Sequence, residues 1–224
     1  MPGRREQDPG YLEPYREAVR RHGPSFEALL WRNEEFQHAR FAVLAEVARP
    51  GGRVVADLGC GRGDMLPALE SSGHAPARYV GVEGIEELLA ACRERYAKHE
   101  TARWLAGDFV RDRTLFETLV REHDASVIVF SGSLNTLDQR TALAVLDRAW
   151  DALHARPGGT LAFNFLTSAG RRRREALGPA NRFRSGELFR WAQRASGRML
   201  YRQDYLGPHD ATIAVYAQQP EPKA

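Results

Sequence analysis

The period of the apolar positions changes near residue 53. Before that point the spacing is helical. Residues 11–21 read as one helix closed by Gly23-Pro24, and 26–31 as a short second one. Residues 34–47 read as a third, with Phe36, Phe41, Val43, Leu44 and Val47 forming an apolar stripe. From Arg53 onward, short β-branched runs alternate with amphipathic stretches. They predict strands over 53–56, 79–82, 102–106, 126–130 and 160–165, and helices over 64–71, 86–98, 113–122 and 139–155. This alternation implies a mostly parallel sheet covered on both faces and wound by right-handed crossovers. The pattern then breaks. A helix over 187–195 is followed by strands over 199–205 and 211–217, with only Leu206-Gly207-Pro208-His209-Asp210 between them. That spacing suits a hairpin and not a helical crossover, so the sheet should end with an antiparallel strand. Residues 1–10 and 218–224 read as flexible tails.

Bulk composition narrows the class without deciding it. A chain of 224 residues, 27% charged and 43% hydrophobic, suits one folded α/β domain with additions. The net charge of +3, from 32 basic and 29 acidic residues, is too small an excess to indicate a nucleic-acid partner. No apolar run has the length of a membrane span, and the polar start Met1–Pro9 is not a secretory leader. Cys60 and Cys92 form no CxxC pair, and a reducing cytoplasm is the expected location. His, Cys and Asp do not cluster at metal-ligand spacing, so no metal is expected.

The strongest local signal is Val54-Val55-Ala56-Asp57-Leu58-Gly59-Cys60-Gly61-Arg62-Gly63-Asp64, a buried strand running into alternating glycines and then a helix. Glycine is needed where the chain turns sharply or a ligand presses on the backbone. The loop sits at the carboxyl end of the first strand, where open α/β sheets bind ligands. A dinucleotide loop would carry a third glycine where Asp64 stands, and a Walker loop would end in Gly-Lys-Ser/Thr. A plain structural turn is the remaining alternative. Two later strands end in further acids: Val80-Gly81-Val82-Glu83, and Gly107-Asp108-Phe109. A carboxylate at the second strand tip can accept ribose hydroxyls. One at the third can accept an adenine amino proton while an aromatic neighbour covers the ring.

On these residues the run Val54–Phe109 resembles the cofactor half of class I S-adenosylmethionine (SAM)-dependent methyltransferases, and the likeness extends over roughly 34–217. It implies an α/β, Rossmann-like, seven-stranded, mostly parallel sheet with an antiparallel C-terminal hairpin strand and helices on both faces. An N-terminal helical lid over 11–50 would precede a domain over 51–217, with 168–186 as a cap. It implies SAM as cofactor and S-adenosylhomocysteine (SAH) as product. Asp57, Gly59 and Gly61 would surround the methionine moiety. Glu83 would hold the ribose with Gly84 beside it, and Ile85 would lie along the adenine. Asp108 and Phe109 would bind the adenine. Ser131, Gly132 and Ser133 would line the floor of methyl transfer. The pattern Tyr15, His22-Gly23, Leu30-Trp31, Gln37, Arg40-Phe41, with Asp204-Tyr205-Leu206 and Asp210-Ala211-Thr212, is similar to a bacterial subfamily of such enzymes. By likeness to small-molecule N-methyltransferases, Arg40 would pair with the SAM carboxylate. Its alternative is a surface position on an amphipathic helix. Trp31 would either cover the cofactor or pack within the lid.

Methyl transfer from a sulfonium needs alignment and exclusion of water, and needs a base only for a protonated acceptor. Asn135, His209 and Tyr205 are the candidate catalytic residues: Asn135 to orient an acceptor, His209 as an imidazole base, with the alternative that the 205–210 turn is simply solvated. Asn164, inside an apolar strand, either pairs with backbone or faces the site. Between Ser168 and Gly186 lie Arg171–Arg174, Arg182 and Arg184, as a mobile cap for an anionic acceptor, a weak RNA or lipid contact, or a solvated loop. Cys60 reads as packing. The expected activity is methylation of a small-molecule O or N acceptor by a monomer or homodimer. A methyltransferase acting on RNA or protein, a non-catalytic SAM-binding module and an NAD-binding domain are the alternatives.

Overall fold

Val54–Leu58 forms β1, buried along its whole length, because β-branched and small residues fill a strand covered on both faces. The computed structural model describes residues 10–168 and 178–218. Strand β1 runs two residues past the expected end, since Asp57 and Leu58 still pair with Gly81 and Val82 of β2 (Arg78–Glu83). Arg53 lies outside the strand. Its guanidinium caps carbonyls at the amino edge, donating to Ser126 O at 2.7 Å.

The remaining strands are β3 (Ala102–Ala106), β4 (Val127–Phe130), β5 (Thr160–Leu166), β6 (Met199–Arg202) and β7 (Asp210–Tyr216). They form one seven-stranded sheet in the order β3-β2-β1-β4-β5-β7-β6. Strands β1 to β5 are parallel, and β7 runs antiparallel to both β5 and β6, as the hairpin spacing requires. Strand β6 stops at Arg202, short of the expected 205. Pairing with β7 ends at Arg202 and Thr212, and the chain then turns.

Helices α3 (Met65–Ser71), α4 (Glu86–Arg95), α5 (Leu115–Arg121), α6 (Gln139–Leu153) and α7 (Ser185–Ala195) complete the crossovers. On one face α5, α6 and α7 pack on Ile128, Phe130 and Phe163. On the other, α3 and α2 (Glu34–Ala48) pack on Val55, Val127 and Val129. The expected lid over 11–50 therefore divides. Helix α2 buries Val43, Leu44 and Val47 in the core and is a layer of the domain. Only α1 (Glu13–His22), a 3-10 turn over Glu27–Leu29 and the link to α2 arch over the sheet edge. Helix α1 is anchored by Ala18 and Val19 against Ile85 and Leu88. Asn33 starts α2 by accepting from Phe36 N at 2.9 Å, and Asp138 starts α6 by accepting from Thr141 N at 2.8 Å.

In the expected cap, Arg171–Arg174 lie outside the described residues, as do most of the two expected tails. Phe183 is in the core. It bridges to Thr167 and sets its ring edge-on to Phe165. No helix among the described residues is long and apolar enough to cross a membrane.

Candidate functional site

The carboxyl ends of β1 to β5 open onto a cavity of about 830 Å³, a size typical of small-molecule sites. The glycine loop crosses its base. Gly59 N and Cys60 N donate to Val82 O at 2.8 and 3.0 Å, which bends the chain sharply out of β1. Gly59 has φ +73°, and a Cβ there would lie 2.6 Å from Ser133 Cβ. At Gly61, with φ +57°, a Cβ would meet Leu29 Cδ2 at 2.7 Å. The loop is thus closed on by the β4 loop and by the 3-10 turn, and no side chain fits between them.

Two buried carboxylates face this loop. Asp57 accepts a hydrogen bond from Tyr79 on Oδ2, while its Oδ1 is buried without a partner. Burial pushes its pKa up to about 7 against the opposing Tyr79 hydrogen bond, with Glu83 and Asp64 adding to the rise. Glu83 accepts from Gly61 N (2.8 Å) on Oε2, and from Gly84 N (2.8 Å) and Ile85 N (2.9 Å) on Oε1. Burial lifts it to about 7 despite these three donors. A carboxylate offers about four acceptor positions, so Glu83 keeps one on Oε2 for a ligand. Gly84 lines the cavity beside it.

Asp108 lines the cavity after β3 but is engaged. Tyr11 OH donates to its Oδ1 and Oδ2 at 2.7 and 2.6 Å, and Val110 N donates to Oδ1 at 3.0 Å. Phe109 packs edge-on to Phe130 and borders the cavity. Ser131 and Gly132 form the floor after β4. Asn164 settles its own ambiguity by holding that floor: it accepts from Gly132 N at 2.7 Å and donates to Ser131 Oγ at 3.3 Å.

Arg40 is buried, which excludes the surface position. Its Nε donates to Asp210 Oδ1 at 2.6 Å, and its guanidinium stacks over Trp31 at 4.8 Å. Both border Gly132, where a Cβ would lie 3.2 Å from Trp31 and 3.8 Å from Arg40 Nη1. Trp31 also meets Phe41 edge-on, so it both packs within the arch and faces the cavity.

Among the candidate catalytic residues, Asn135 and His209 line the cavity. Asn135 accepts from Leu166 N at 3.2 Å, and His209 Nδ1 is buried with no hydrogen-bond partner. Tyr205 does not line it. Its hydroxyl is 2.8 Å from Thr212 Oγ1 and its ring packs on the α2 side of the sheet. Ile85 is also displaced from the expected place along a ligand. It is buried between α1 and α4 with Ala18, Val19 and Leu88.

Cys60 is buried, and its thiol is pushed well up by burial and by Cys92 beside it, which suits packing rather than nucleophilic attack. Sequence reasoning missed Tyr11 and Leu29 as parts of the site, and the pairing of Asp210 with Arg40. Their partners lie up to 170 residues away, and no local pattern marks them. Among the described residues no group of His, Cys, Asp or Glu could hold a metal ion.

Residues 55–159 match a family model described as a methyltransferase domain. The matched stretch, just under half of the chain, is similar to a methyltransferase domain. Solved structures share the fold of this chain at low identity. An O-methyltransferase family protein from Burkholderia thailandensis has TM-score 0.68 and 17% identity, covering 92% of this chain and 62% of its own. Phosphoethanolamine N-methyltransferase 1 of Haemonchus contortus, in complex with phosphoethanolamine and SAH, has TM-score 0.61 and 16% identity, covering 96% and 51%. The DhpI–SAH complex has TM-score 0.61 and 15% identity, covering 94% and 96%. The chain thus spans less than two thirds of the first two proteins and nearly all of the third. No curated protein sequence matches it.

The site fits the family's cofactor at the orphaned Asp57 Oδ1. A buried carboxylate oxygen without a donor suits an ammonium group. The free position on Glu83 Oε2 suits a hydroxyl donor.

Proposed function

We propose that this chain moves a methyl group from SAM to an O or N atom of a small molecule. The observation that carries this reading is that one cavity holds both halves of the reaction. The glycine loop, Asp57 and Glu83 line one end, and Asn135, His209 and Leu166 line the other, under the arch of α1 and Trp31. When bound, the cofactor supplies an electrophilic methyl on a sulfonium.

The chain's own residues do the rest. Asp57 holds the ammonium and Glu83 a ribose hydroxyl. Arg40, over the Trp31 ring and beside Gly132, would offer its remaining N–H groups to the cofactor carboxylate. Asp108 and Phe109 border the adenine end, with Tyr11 beside them. Asn135 orients the acceptor, and the unpartnered Nδ1 of His209 takes its proton where one must leave. The arch excludes water, which strengthens these contacts.

A small acceptor is supported by the size of the cavity and by the arch of α1 and Trp31 along it. The test is SAH formation from SAM across a library of small phenols, amines and acids, read by mass spectrometry. The expected result is acceptor-dependent turnover that falls in Asn135→Ala and His209→Ala. SAH formation only with added RNA or protein would overturn it.

A further inference from the structure

A second cavity, of about 310 Å³, opens at the amino edge of the sheet, at the far end of β1 from the glycine loop. Its size is at the lower end for small-molecule sites. Three arginines line it: Arg49 just after α2, Arg53 just before β1 and Arg198 just before β6. The topology brings them together. Strands β1, β5 and β6 begin at this edge, and antiparallel β7 ends there with Tyr216. Among the described residues no acidic residue lines this cavity.

Arg53 is half-buried, and its hydrogen bonds go to uncharged oxygens. Its Nη1 donates to Thr160 Oγ1 at 3.1 Å, and its Nη2 to Ser126 O at 2.7 Å. Burial and the nearby Arg156 both push its pKa down. Arg53 therefore places a fixed positive charge in the wall without a counter-charge. Arg49 and Arg198 are exposed, and Arg198 Nη1 donates to Ala217 O at 3.4 Å. Both guanidiniums act on the Tyr216 hydroxyl, pulling its pKa down against the larger effect of burial. Both charges thus bear on the same corner of the cavity, where their N–H forks can turn to a ligand.

We propose that this cavity binds a phosphate group, as inorganic phosphate or as the head of a small phosphate monoester. Three like charges around one cavity repel each other, and no acid in its lining offsets them. A dianion offsets more of that repulsion than a carboxylate does, and guanidinium forks match phosphate oxygens in pairs. Partial burial of Arg53 reduces the screening that weakens such contacts on an open surface. The site is separate from the cavity at the glycine loop and does not depend on what binds there.

Calorimetric titration of the full chain tests this with inorganic phosphate, phenyl phosphate and acetate, at fixed ionic strength and about pH 8, where both phosphates are dianions. At least one phosphate should bind about tenfold tighter than acetate. Equal affinity of the two supports a site for the head group alone, and tighter phenyl phosphate supports a monoester site. The double variant Arg49→Gln, Arg198→Gln should weaken phosphate binding about tenfold. Both side chains are exposed, so its melting temperature without phosphate should match that of the native protein. The inference is overturned if neither phosphate binds tighter than acetate, if the double variant keeps native affinity, or if saturating SAH abolishes phosphate binding and so places it in the first cavity.

Discussion

Asp57 and Glu83 tie the site to pH. Each is held near pKa 7 by burial, far above an unperturbed carboxyl group. Between about pH 4 and 7 the folded protein therefore binds more protons than the unfolded chain, and these two groups make stability fall as pH rises through that window. A ligand that brings an ammonium and hydroxyl donors favours the ionised forms. SAH affinity should accordingly rise about tenfold per group between pH 6 and pH 8. Calorimetry across that range checks it, and Asp57→Asn should both weaken binding and flatten the profile. A flat profile in the native protein would contradict the assignment. The Arg40–Asp210 pair makes a different prediction. Both side chains are buried, so Arg40→Met leaves an uncompensated carboxylate and should cost about 3–5 kcal/mol in urea unfolding. A cost under about 1 kcal/mol, typical of an exposed pair, would mean that the contact is not formed.

At the scale of elements, the glycine loop and the arch are held by close approach. Gly59→Ala would place a methyl 2.6 Å from Ser133 Cβ at a left-handed φ, so it should both destabilise the fold by about 1–3 kcal/mol and abolish SAH binding. Tyr11→Phe removes the hydroxyl that ties the start of the arch to Asp108. Hydrogen exchange should then speed up in α1 while β1 to β5 keep their protection; unchanged exchange in α1 would show that the hydroxyl does not hold the arch.

The elements differ in how far they can be read in advance. The strands and the Asp57-to-Asp64 loop are visible because period and glycine placement are local properties. The carboxylates at 57, 83 and 108 are visible because strand tips converge at one sheet edge. Tyr11 on Asp108, Leu29 on Gly61 and Asp210 on Arg40 are not, because tertiary packing makes them between distant segments. Ile85 and Tyr205 show the opposite failure. Each stands one or two residues from a cavity-lining position, and a small rotation of the chain turns its side chain into the core.

For the whole molecule, the central claim is that this seven-stranded sheet holds SAM at the tips of β1 to β3. Topology supports it, since β7 runs antiparallel beside β5 where a dinucleotide fold would continue in parallel. Thermal unfolding with saturating SAM, SAH or NAD tests it most directly. A ligand at a hundredfold its dissociation constant should stabilise the fold by about 2.7 kcal/mol. SAM and SAH should raise the melting temperature, NAD should not, and Asp57→Asn should remove most of the rise. A rise with NAD alone, or none with SAM and SAH, would contradict the account.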